Sequence, residues 1–146
     1  MREIKFRGKG INTGEWVFGF YTQGSFIDPN TGKETIRHII DNDMLHDVVP
    51  ETIGQFTGLK DKNGKEIYEG DVLKSRSIIH FVEYKEDEGV FVGRFKLGAR
   101  VPNVTMQQPD FTSLHQWWIN KYEKEVVGNI YDNPKLFKQN YVHLCP

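Results

Sequence analysis

The chain has 146 residues, of which 38% are apolar, 13% aromatic and 27% charged. That is one domain's worth of chain, long enough to bury a core without metal or disulfide staples, and its apolar content excludes a disordered polymer. Nineteen basic side chains stand against twenty acidic ones, and the net charge of −1 excludes a global field that would gather a polyanion or an anionic membrane.

Short apolar–polar alternations separated by turn residues recur along the chain, the mark of strands. Ile4 and Phe6 alternate with Lys5 and Arg7, and "EWVFGFYTQG" (15–24) reads as a strand rich in aromatics. "DPNTGK" (28–33) is a turn by composition and joins it to the strand "ETIRHII" (34–40). "DNDMLHD" (41–47) reads as a polar loop or one helical turn closed by Pro50, and "TIGQFTG" (52–58) as the next strand. Asn63-Gly64 marks a tight turn, and "SIIHFVEYKEDEGVFVGRFKLG" (77–98) is the clearest hairpin. Residues 98–110 form a loop containing Pro and Gln, and "FTSLHQWWINKYEKE" (111–125) reads as a short helix with Phe111, Leu114 and Trp118 at i, i+3 and i+7. "EVVGNIY" (125–131) is a strand, after which Asn133 as N-cap and Pro134 at the first helical position open a second short helix. Four of the strands carry a glycine inside an apolar frame: "VFGFY", "TIGQF", "FVGRF" and "VVGNI". Glycine weakens a strand, so its recurrence predicts bends, bulges or close backbone approach.

Most ligand chemistries fail on spacing. "GLKDKNGKE" (58–66) has five residues between Gly58 and Gly64 and places Glu66 where a P-loop needs a hydroxyl, so it is not a phosphate loop. Asp28, Asn30 and Gly32 give a fragment of a calcium loop without its third oxygen ligand, and read as an Asx-rich turn. No nucleophile elbow occurs, and Cys145, the one cysteine, sits in the tail with no motif around it. No cofactor is expected, and an enzyme is unsupported. The charged start "MREIKFRGKG" and the lack of a long apolar run predict a cytoplasmic protein without a membrane partner.

Three surfaces remain. Arg94, Lys96 and Arg100 lie in a stretch free of acids together with Phe91 and Phe95, the residue mix of a small barrel that grips a nucleic-acid strand; Lys5, Arg7 and Lys9 add to it. Trp117 and Trp118 are adjacent and point in different directions, so that one can be core while the other contacts a protein partner. His38, Asp41, Asp43, His46 and Asp47 are ligand-type residues in one segment, a composition that would suit a metal-dependent hydrolase, but their spacing matches no metal motif.

"MREIKFRGK", "GEWVFGFY", "VPETIGQFTGLKDKNGKEIYEGDVL" and "EVVGNIYDNPKLF", in this order, resemble the YopX family of bacteriophage and prophage proteins. The resemblance covers the chain to about Lys138 and implies one domain over 1–138, with an N-terminal β segment (1–50), an SH3-like barrel region (51–138) and a tail (139–146). The expected fold class is therefore mainly β: a small SH3-like barrel with additional N-terminal strands and one or two short C-terminal helices. It also implies homo-oligomerisation, and it implies no catalytic residue. The expected role is a non-enzymatic accessory protein that binds a macromolecular partner, with a nucleic-acid-binding barrel and a metal-dependent hydrolase as alternatives.

Overall fold

The computed structural model describes residues 1–76, 78–95 and 111–138. Strands dominate, arranged in two antiparallel sheets, with two short helices among the described residues. The chain divides into two compact units, Met1–Phe56 and Thr57–Pro146.

The first unit is built on β1 (Phe6–Lys9), β2 (Trp16–Ile27), β3 (Glu34–Asp41) and β4 (Leu45–Asp47), which lie in the order β4-β3-β2-β1. A single 3-10 turn (Pro50–Thr52) then leads into β5 (Gly54–Lys60), which pairs with β1 through Gly54 and Gln55. The segment read as a polar loop or helical turn, 41–47, is therefore a tight turn into a short strand. Ile40 pairs with His46 and Asp41 with Leu45, and that pairing decides against the helical turn. Alternation on β2 sends Val17 into a core with Ile40 and Val48, while Phe6 and Ile53 pack against it. Thr52 fastens the 3-10 turn, its hydroxyl accepting from the Lys9 amide at 2.9 Å and donating to the Val49 carbonyl at 2.7 Å. Gly19 stands where β2 leaves β1 for β3, and a Cβ there would collide with the Asp41 carbonyl oxygen. The first of the recurrent strand glycines thus permits a close backbone approach.

In the second unit β5 runs on beside β6 (Glu66–Tyr68). A five-stranded sheet follows in the order β10-β9-β8-β7-β11, made of β7 (Asp71–Ser75), β8 (Ile78–Lys85), β9 (Val90–Phe95), β10 (Phe111–Ser113) and β11 (Glu125–Asn129). This sheet is open, with β10 and β11 as its edges. Helix α1 (Gln116–Lys121) contributes Trp118 and Ile119 to a core with Ile67, Leu73, Val82, Phe91 and Leu114; helix α2 is Pro134–Lys138. The helix predicted over 111–125 is thus shorter than expected. Phe111, Thr112 and Ser113 pair with Arg94, Gly93 and Val92, because residues with strand propensity beside an unfilled sheet edge gain more from the ladder than from a helical turn. The register of β11 slips between Val126 and Gly128, a bulge in the strand whose glycine had suggested one.

The turn at "KDKNGKE" is organised by Asp61. Its Oδ1 accepts from the amides of Asn63 at 2.8 Å and Lys65 at 2.9 Å, and its Oδ2 from Val126 of β11 at 3.0 Å. The Gly64 amide closes the turn on the Asp61 carbonyl, and Gly64 takes the left-handed conformation (φ 81°) while Asn63 does not. Next, the Asp71 carboxylate accepts from the buried Tyr68 amide at 2.8 Å across the left-handed Gly70, which sets the entry of β7. Asn133 immediately precedes α2, and its Oδ1 accepts from the Asn129 amide at 3.2 Å.

Candidate functional site

Arg94 lies on β9, where its guanidinium bonds to Glu83 of β8 at 2.5 and 2.7 Å and stands 5.8 Å from the Phe111 ring. Its charge is therefore balanced by a neighbour on the same sheet. Lys96 and Arg100, its predicted companions, lie outside the described residues. The two adjacent tryptophans separate. Trp118 is buried in the second-unit core, whereas Trp117 is 61% exposed and stacks against His115.

The His/Asp segment spreads over β3 and β4. The Tyr21 hydroxyl engages His38 Nδ1 at 2.8 Å, and His46 Nε2 lies 3.0 Å from the Asn42 side-chain oxygen. Asp41 accepts from the Asp43 amide within a turn, and Asp47 forms an ion pair with Arg37. Among the described residues no three His, Cys, Asp or Glu side chains come together in a geometry that would hold a metal ion. Asp28 is likewise a turn residue, and the Asn30 amide bonded to its carboxylate holds it below the usual carboxylate range.

Two groups unmarked by sequence reasoning stand out in the second unit. The first is a buried pair. Lys124 and His80 are 3% and 4% exposed, with Lys124 Nζ 3.3 Å from His80 Nδ1. The ammonium lies 4.6 Å from the Trp118 ring, and the imidazole meets that ring edge-on. Burial lowers the lysine to about 8; burial and then the neighbouring ammonium lower the histidine to about 3. At neutral pH the imidazole is neutral and accepts from Lys124 through Nδ1, which places its own proton on Nε2.

The second is a cleft of about 550 Å³ between the end of β7 and the connection from α1 to β11. Five basic side chains line it (Lys62, Lys74, Arg76, Lys121 and Lys124) against two acidic ones, Glu123 and Glu125. Glu125 is taken up by Lys62 at 2.9 Å, and that bond raises the lysine above its ordinary value. Lys74, Arg76 and Lys121 are exposed and have no ion pair among the described residues. The Lys121 ammonium sits 5.5 Å from the Tyr122 ring and 6.0 Å from that of Trp117. Arg76 (φ 53°) and Glu123 (φ 48°) both adopt the left-handed backbone that non-glycine residues avoid. Glu123 does so at the end of α1, where the amides of Glu123 and Lys124 return to the carbonyls of Asn120 and Ile119 in the helix-stop pattern that ordinarily uses glycine.

In the first unit, the β2 face turned away from the core carries Trp16, Phe18 and Phe20 at alternate positions. Arg7 pairs across from Phe18 and Lys9 from Trp16, with the Arg7 guanidinium 4.6 Å and the Lys9 ammonium 5.5 Å from the Trp16 ring. Phe20 is 72% exposed, and Leu45 lies on the same face through the register Phe20–Asp41–Leu45.

The fold is that of a mainly β protein, with two antiparallel sheets and short helices among the described residues. The family described as YopX protein matches residues 5–138, and the chain belongs to that family. A crystal structure titled protein EF1440 from Enterococcus faecalis is similar to it at 24% identity over 93% of this chain and 99% of that one, with a TM-score of 0.49. No curated protein matches the chain. No described helix is long and apolar enough to cross a membrane.

Proposed function

We propose that this chain is a non-enzymatic binding module for a protein partner, an accessory protein of phage or prophage origin acting in the cytoplasm of a bacterial host. The exposed aromatic face of the first unit carries this reading. Phe18 and Phe20 stand two residues apart on one strand face, with Leu45 two strands away, outside the Val17–Ile40–Val48 core. Exposed aromatic side chains at alternate positions of one strand face mark interaction surfaces, and large aromatic anchors supply most of the energy at such interfaces. Arg7 and Lys9 are engaged with the Trp16 ring, so the partner's principal contacts there are apolar. The open second-unit sheet is read as the SH3-like element of this module, and its short edge strands as a route to self-association.

A tagged pull-down from nuclease-treated host lysate tests the reading, comparing the native chain with Phe18→Ser/Phe20→Ser. A defined protein retained by the native chain and lost by the variant supports it, once the purified pair is shown to bind at the same stoichiometry in sedimentation. Equal capture by both chains, or none by either, refutes it.

A further inference from the structure

We infer that the basic cleft of the second unit binds single-stranded nucleic acid, with phosphates on Lys74, Arg76 and Lys121 and bases stacked on Trp117 and Tyr122. This goes beyond the protein-binding role of the first-unit face and uses a different surface. The charge excess is local: five basic against two acidic side chains line the cleft, in a chain whose total is −1. Glu125 is spent on Lys62, which leaves Glu123 as the remaining acid of the lining.

The aromatic component distinguishes this cleft from a site for a free anion. Tyr122 lines the cleft and Trp117 lies outside its lining, the Lys121 ammonium being 5.5 Å from the first ring and 6.0 Å from the second; both rings are exposed, and Trp117 has one face against His115. A phosphate ion has no use for them. A single strand does, because its bases stack on exposed aromatic faces while its backbone follows the cations. Duplex DNA conceals the base faces, so the pairing of cations with open rings favours the single-stranded form.

Arg76 and Glu123 both line this cleft with positive φ, Arg76 in the tight turn from β7 to β8 and Glu123 at the stop of α1. At 76 a glycine would relieve the strain but lose the guanidinium.

The test uses the full chain with a fluorescein-labelled twelve-residue oligothymidylate, read by anisotropy across a NaCl series. Saturable binding is expected, with log K falling against log salt at a slope of about −2 for three phosphates on a single strand. Lys74→Gln/Arg76→Gln/Lys121→Gln should flatten that slope and weaken binding at least about ten-fold, and Trp117→Ala should weaken it about ten-fold while leaving the slope unchanged. Arg76→Gly should melt at or above the native temperature and still bind more weakly, which separates loss of the contact from loss of the fold. Absence of saturable binding at low salt overturns the inference. So does binding that neither the triple variant nor Trp117→Ala alters, or competition by inorganic phosphate as effective per phosphate as by the oligonucleotide. None of these results depends on Phe18 or Phe20, so failure here leaves the protein-binding reading standing, and the converse holds.

Discussion

Replacing Lys124 with methionine tests the reading of the second-unit interior, because the two side chains are similar in length and only one carries a charge. Lys124 is 3% exposed and has a lowered pKa of about 8 against an ordinary 10.5, with burial as the cause. Between those values the unfolded chain binds a proton that the folded chain does not, so the stability contributed by this group rises as pH rises from 8 to 10.5. At about 1.4 kcal/mol per pH unit the full effect is on the order of 3 kcal/mol. Urea denaturation of both chains at intervals from pH 7 to 11 isolates it, since the other titrating groups are shared and His80, which the substitution also affects, is lowered to about 3, far below that range. Lys124→Met should be the more stable at pH 7, and its advantage should shrink by roughly 3 kcal/mol by pH 10.5. The variant also removes the ammonium beside His80, so the imidazole should titrate above its present value of about 3 when followed by NMR. Parallel stability curves across the whole range would refute the buried, charge-penalised lysine.

Asp61→Ala should lower stability by about 3 kcal/mol, because three backbone amides lose a charged acceptor, including the Val126 amide that ties the turn to β11. Denaturant midpoints measure this, and a loss below about 1 kcal/mol would show that water replaces the carboxylate. Gly19→Ala should cost about 2 kcal/mol or more, since its Cβ meets the Asp41 carbonyl oxygen, a backbone atom that moves only with β3. An unchanged melting temperature would mean that the two strands separate there freely.

Much of the strand pattern was legible in the sequence. Strand alternation is local, and "EWVFGFYTQG", "ETIRHII" and "SIIHFVEYK" each declare their faces without reference to the rest of the chain. Turn chemistry is local as well, so Asp28 and Gly64 appear in turns where their residue types place them. The family blocks fall largely on these same features. "KDKNGKEIYEGDVL" holds both Asp61 and Asp71, whose carboxylates organise consecutive turns.

The remainder required the tertiary structure, because it depends on partners distant along the chain. Phe111–Ser113 is a strand only because β9 offers an edge, and nothing within 111–125 announces that edge. Lys124 looks like any surface lysine in "NKYEKEV"; its burial depends on His80 and Trp118, and His80 lies forty-four residues away. Lys74 and Arg76 join Lys121 in one cleft because β7 pairs with β11, a contact that overall charge balance conceals. Composition and spacing determine which residues can face water or the core, since those preferences belong to each side chain and its immediate neighbours. Which of them meet is decided by strand pairing, and strand pairing is a property of the assembled sheet.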